Sequence, residues 1–369
     1  MTFKIMKLNH KVDTIQVLRG IAAMMVLLCH FDIYFNSIFP GTKEIFSNGV
    51  IGVDLFFIIS GFVIYISYKG DNALEFFTKR FFRVYIPAAI AIVMTTYIAG
   101  INIFDNESFI KSMLFIPLQN INPPFYGYNI LAVVWTLVYE MYFYFLFTIA
   151  ILVSRKIGTI GICASSFILF SVFGGQYLLV GKINIDAMSY VYNGDINFLP
   201  KQIISLSGNP ILLEFLIGIF IGYIFKRYSI LVTPSKTACN ILIMICCLVF
   251  TIRYFGPNIK HGILDGGLYS SFLFVAFIIW HRGIELGLYN APKRKLVYIG
   301  TISFSIYLIH VAVIIGFIEK YNYWLRDGGQ LIAGLSVTLF ASMAYYHIIE
   351  VNSQKAGKIV SSLLRSNIN

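Results

Sequence analysis

The chain has 369 residues, 58% hydrophobic and 12% charged, with a mean hydropathy of +0.78 and 34 Phe beside 24 Tyr. Soluble domains are about a quarter charged, so this composition excludes one and indicates an all-α polytopic membrane helix bundle. The formal net charge of +11 is spread over short connections with no basic domain or stripe. That argues against a nucleic-acid partner and leaves membrane lipid heads as the general one.

Apolar runs of about 20 residues predict ten spans: 14–35, 47–68, 84–101, 130–153, 157–180, 203–225, 238–255, 264–281, 296–318 and 329–350. With both termini cytoplasmic, every inner connection is basic; 20 of the 28 Lys and Arg lie inside and 8 outside. The expected topology is therefore N-in/C-in. The first apolar run is long, lacks a small-residue cleavage site and is followed by further spans, so it reads as a span rather than a cleaved signal. Residues 104–118 read as a short interfacial helix. INPPFYGYN (121–129) reads as a turn, because paired prolines cannot continue a helix. One membrane domain over 1–369 is expected, with no appended soluble domain and a tail after Glu350 too short to fold alone. All five cysteines fall in apolar spans and are expected as buried free thiols. No motif for a metal, a nucleotide-binding fold or a phosphate-cradling glycine loop is present.

A charged side chain at the bilayer centre costs about 2.5–3.5 kcal/mol, so ionisable residues inside spans face a bundle interior or a cavity. In LRGIAAMMVLLCHFD (18–32), Arg19 and His30 are eleven residues apart. That spacing is about 20° around a helix and about 16.5 Å along it, so they share a face, with His30 expected near the midplane. GVDLFFIISGF (52–62) carries Asp54, Ser60 and Gly61, and Asp54 needs a partner in the bundle or water. FFTKRFFRVYIP (76–87) is read as an inner loop whose Arg80 and Arg83 suit phosphate groups at the mouth of a cavity, or simply anchor the topology.

WTLVYEMYFYF (135–145) places Glu140 close to the midplane, with Thr136 on the same face, Trp135 and Tyr139 as walls of a pocket, and His30 as one partner at similar depth. In PILLEFLIGIF (210–220), Glu214 is a deep carboxylate that braces the bundle. GTISFSIYLIH (300–310) gives Ser303, Tyr307 and His310 on one stripe, which suits helix packing as well as chemistry. His261 in an outer loop, and His281 and His347 near inner helix ends, read as structural.

Taken in order, these stretches resemble the acyltransferase-3 family of integral membrane O-acyltransferases that modify bacterial surface glycans. The resemblance rests on Arg19 and His30 with ten residues between them, GVDLFFIISGF, the Arg80–Arg83 pair, the Trp135–Glu140 element and the Ser303–His310 segment. It covers about residues 13 to 350. One departure is the end of the last span, where the family often has Glu-x-Pro and this chain has Glu350-Val351-Asn352.

The resemblance implies a ten-helix bundle in the bacterial cytoplasmic (inner) membrane that takes an acyl group from cytosolic acyl-CoA as co-substrate. No cofactor would be permanently bound. The group, acetyl by family frequency, would pass to a sugar hydroxyl of a glycan such as lipopolysaccharide O-antigen or capsule. Arg19, Arg80 and Arg83 would hold the CoA phosphates. His30 would act as base, Glu140 or Asp54 would orient it, and Ser60 would donate to the thioester oxygen or carry the acyl group. Trp135, Tyr139, Ser303, Tyr307 and His310 would line a substrate pocket. Monomer and homo-oligomer stay open. The rival readings are a proton-coupled secondary transporter or exporter, for which no internal repeat is visible, and a polysaccharide polymerase or flippase, which would carry longer basic outer loops.

Overall fold

The computed structural model describes residues 12–102, 107–118, 122–193, 201–227, 235–319 and 328–366. Among these the secondary structure is entirely helical. In chain order the helices are α1 (Asp13–His30), α2 (Asp32–Ile38), α3 (Lys43–Ser47), α4 (Ile51–Ser67), α5 (Ala73–Ile98) and α6 (Glu107–Met113). They continue with α7 (Val134–Val153), α8 (Ile157–Leu169), α9 (Gly175–Val180), α10 (Lys201–Ser207), α11 (Leu213–Arg227) and α12 (Lys236–Tyr254). The last five are α13 (Gly266–Glu285), α14 (Arg294–Thr301), α15 (Ser303–Val313), α16 (Gly328–Tyr345) and α17 (Val351–Ser366).

Eight helical stretches among the described residues are long and apolar enough to cross a membrane, and two bent pairs raise the number to ten. The pairs are Lys201–Gly208 with Pro210–Arg227, bent by 44°, and Arg294–Thr301 with Ser303–Gly316, bent by 59°. Pro210 explains the first break: it has no N–H to continue the helix, and Asn209 caps the next one by accepting from the Ile211 N–H at 2.9 Å. Side chains such as Leu152, Ile332 and Phe340 are exposed on the outside of the bundle, as lipid contact requires. This is a multi-pass membrane protein.

Two boundaries differ from the sequence reading, and both matter for the site. The third span starts at Ala73, not 84, because Asn72 caps it: its Oδ1 accepts from the Glu75 N–H at 2.8 Å and its Nδ2 donates to Glu75 Oε1 at 3.2 Å. Arg80 and Arg83 therefore stand on a helix rather than in a loop. The final span does not stop at Glu350. With Val351 and Asn352 in place of a proline, the chain runs through a π segment (Tyr346–Glu350) into α17. That helix packs along α5: Ser353 Oγ donates to the Phe82 carbonyl, Gly357 abuts Phe82, and Arg365 pairs with Glu75 at 3.7 Å.

Helix α4 lies at the centre, packed against α1, α11 and α13. Its contact with α11 is backbone to backbone. A Cβ on Gly61 would meet the Phe215 carbonyl oxygen at 2.2 Å, and one on Gly218 would meet that of Ile58 at 2.1 Å. Between helices in lipid no hydrophobic force acts, so such close van der Waals approach over small residues is the main attraction. Replacing Gly218 with Leu is expected to cost about 3 kcal/mol by overpacking, read as a lowered Tm and loss of the monodisperse peak in detergent. Gly158→Ala in α8, where an added Cβ meets nothing within 4 Å, should leave both unchanged. An equal fall for the two would contradict this account.

Candidate active site

A cavity of about 80 Å³ lies between α1, α4, α5, α7 and α15. Its wall on α4 runs from Val53 to Ile64, eleven residues or about 16 Å, so it is long and narrow. Phe56, Ile59, Leu137 and Phe304 give it apolar sides.

Three arginines, Arg19, Arg80 and Arg83, enter this cavity, and none forms an ion pair among the described residues. The Arg80 guanidinium lies over the Phe76 ring at 5.3 Å and the Tyr144 ring at 5.8 Å, and its Nη2 reaches Ser67 Oγ at 3.4 Å. Cation–π contact holds a guanidinium without neutralising it. Arg19 donates to Gln16 Oε1 at 3.4 Å. Glu140 also lines the cavity, and its Oε1 accepts from Ser60 Oγ at 3.0 Å and from the Tyr144 hydroxyl. Ser60 thus gives its proton to Glu140 and presents lone pairs to the cavity. Glu350, outside the wall, accepts from Ser305 at 2.7 Å and Gln354 at 3.1 Å. The cavity has an excess of positive charge with bidentate donors, which suits a phosphorylated ligand with an apolar arm.

At the far end, Thr136 Oγ1 and the Tyr307 hydroxyl are 2.6 Å apart. Beyond them the Tyr307 ring lies 6.0 Å from His310, and His310 lies 4.8 Å from His30, edge to face. Each imidazole contacts the carbonyl four residues earlier through Nδ1, His30 to Val26 at 2.9 Å and His310 to Ile306 at 3.0 Å. A carbonyl only accepts, so Nδ1 carries the proton in both rings and the Nε2 lone pair is free to act as a base. His310 is fully buried with Nε2 unpartnered among the described residues, whereas His30, the last residue of α1, is exposed.

The structure therefore brings Arg19, Arg80, Arg83, Ser60, Glu140 and Tyr307 to one cavity and joins His30 to His310 beside it. Glu140 faces Ser60 and Tyr144 rather than His30. Trp135 and Tyr139 turn away from the cavity, being about 100° around α7 from Thr136 and Glu140. The Tyr139 hydroxyl donates to the Pro124 carbonyl at 2.7 Å, and Trp135 packs on Phe125 at 4.8 Å. Ser303 is buried at the start of α15 and, like His310, lies off the cavity wall.

Asp54 is fully buried on another face of α4. It accepts from His261 Nδ1 at 2.8 Å and the Gly262 N–H at 2.9 Å, so its partner is the loop histidine and not His30. Reading His261 alone as a loop residue missed this pair. The usable signals were the partner that Asp54 requires and the His-Gly dipeptide, whose Gly262 sits at φ +109°. His281 contacts Glu285 at 3.5 Å and the Phe225 ring, and His347 contacts Tyr298 at 3.3 Å and the Tyr346 ring, all away from the cavity.

A sequence model of the acyltransferase domain matches residues 12–347. The chain is also similar to proteins of Staphylococcus aureus strains COL, MSSA476 and MRSA252 that each bear the name "putative O-acetyltransferase". Each is 24% identical over 378 aligned residues, covering 92% of this chain and 57% of the relative. The chain thus spans little more than half the length of these curated relatives. No solved structure matches it. With the family match running through nearly all the described helices, the chain belongs to the acyltransferase-3 family.

Proposed function

We propose that this domain transfers an acyl group, acetyl by preference, from acyl-CoA to a sugar hydroxyl of an extracytoplasmic glycan such as O-antigen or capsule. The observation that carries the reading is the set of three guanidiniums, none ion-paired among the described residues, in a long apolar-walled cavity. The names of the staphylococcal relatives support O-acetyl transfer, and the Lys/Arg distribution supports N-in/C-in insertion in the bacterial cytoplasmic membrane. In that orientation the Ser67 end of α4, where Arg80 sits, opens to the cytosol and to the CoA phosphates.

The acyl arm then runs along α4 toward Tyr307. His30 is not on the cavity wall, so the thioester has to pass the Thr136–Tyr307 contact to reach the two histidines. There the acceptor hydroxyl oxygen attacks the thioester carbonyl while His30 Nε2 takes its proton. The C–S bond breaks, and the imidazolium returns the proton to the departing thiolate, leaving an ester and free CoA. Glu140 offsets part of the arginine charge and fixes Ser60 and Tyr144 along the path of the arm.

The first test incubates membranes holding the wild type or His30→Ala with acetyl-labelled acetyl-CoA and the isolated surface glycan of the host. Alkali-labile label on the glycan, reduced at least a hundredfold in His30→Ala, is expected; label retained by the variant removes His30 as base. Uptake of glycan precursor without any label would move the transporter reading ahead. Arg80→Ala combined with Arg83→Ala should weaken acyl-CoA affinity at least tenfold by calorimetry, and an unchanged Kd would return both to topology anchors. Glu140→Gln keeps the acceptor oxygen but removes the charge that offsets the arginines, and should tighten the acyl-CoA Kd about threefold; an unchanged Kd would leave Glu140 a packing residue.

A further inference from the structure

A second cluster of polar side chains stands apart from the cavity. Asp54 and Ser67, the α4 contact of Arg80, are thirteen residues apart, about 20 Å along the helix. The cluster and the arginines therefore occupy opposite ends of the bundle. Asp54 receives the His261 Nδ1–H, so His261 presents the lone pair of Nε2, which has no partner among the described residues. Beneath it the consecutive Gly266 and Gly267 face Asp54 and Glu214, where an added Cβ would stand 2.8 and 2.6 Å from carboxyl oxygens. Both Glu214 oxygens are buried without a hydrogen-bond partner among the described residues.

The loop that carries His261 is fixed at several points. Arg253 grips Asp265 through two bonds of 2.6 and 2.5 Å and also donates to the Pro257 carbonyl at 2.6 Å. Asn48 Nδ2 donates to the carbonyls of Tyr254 and Gly256 at 2.8 and 2.9 Å. Phe125 and Trp135 then stand beside the imidazole, with ring centroids at 5.9 and 5.5 Å and planes at 82° and 63° to it. A rigid support, a buried orienting carboxylate and an unpartnered acceptor nitrogen make a preorganised recognition point rather than a loop tether.

We infer that His261, positioned by Asp54 and walled by Phe125 and Trp135, is a binding site for a neutral pyranose. A hydroxyl donates to Nε2, and the C–H face of the sugar ring packs on the aromatic surfaces. The Asp54 carboxylate directly behind the imidazole disfavours an anionic ligand, and the acceptor nitrogen calls for an O–H donor. The assignment rests on the sugar acceptor proposed above and supplies its subsite.

The test reads binding, not transfer, so it stands apart from the chemistry. Trp280→Phe with Trp324→Phe leaves Trp135 as the single tryptophan, beside the site. The full chain in detergent is titrated with methyl glycosides of glucose, mannose, rhamnose and N-acetylglucosamine, and with sorbitol as an acyclic control. A saturable change in Trp135 emission is expected with at least one glycoside and not with sorbitol. His261→Asn keeps an amide donor at the Nδ1 position toward Asp54 but lacks Nε2. It should retain the wild-type Tm and the acyl-CoA Kd while weakening the glycoside at least tenfold. Undiminished glycoside binding by His261→Asn, a response to sorbitol equal to that of the glycosides, or no response to any glycoside would each overturn the site. Glycoside binding that needs His261, in a protein that moves no acyl label to glycan, would keep this site and reject acyl transfer.

Discussion

The backbone contact between α4 and α11 over Gly61 and Gly218 is what the rest of the molecule is built around. It fixes α4 both along its axis and in rotation, and α4 carries chemically distinct groups on its remaining faces. Ser60 is turned to Glu140, Phe56 to Tyr307, and Asp54 to His261. A slip of one helical turn, about 5.4 Å, would separate all three pairs together. The small residues of this helix are therefore structural conditions for the site and not merely packing economy.

The two ends of the bundle handle buried charge in opposite ways. At the cavity end the Arg80 guanidinium rests on two aromatic faces and Arg19 on one amide oxygen, with no ion pair to either among the described residues, so their charge stays available to a ligand. At the other end the Asp54 carboxylate is fully engaged by two N–H donors, and what remains available is the imidazole beyond it. A fully satisfied buried charge orients its partner, whereas an unmatched one attracts a ligand.

Much of this was legible in the sequence. The ten spans follow from bilayer thickness, and the grouping of Thr136 with Glu140 follows from helical phase. The same phase turns Trp135 and Tyr139 to another face, which a reading by proximity along the chain overlooked. Arg80 and Arg83 were recognised, but their helix was not, because charged residues mask a span start that Asn72 capping defines. The Asp54–His261 pair was not legible because 207 residues separate its members. The bend at Ile302 has no proline or glycine pair to announce it. His30 was expected near the midplane, but only the fold shows that its ring meets that of His310.

The continuation of the chain through Glu350 into α17 sets the two longest candidate membrane spans among the described residues side by side. Helix α17 touches α5 at Phe82, between Arg80 and Arg83, and again at Glu75, about a turn and a half before Arg80. It works as a splint on the segment that bears the charged head of the cavity. Because α17 continues the last span without a break at Glu350, any displacement of that span is shared with the stretch of α5 that carries the arginine pair.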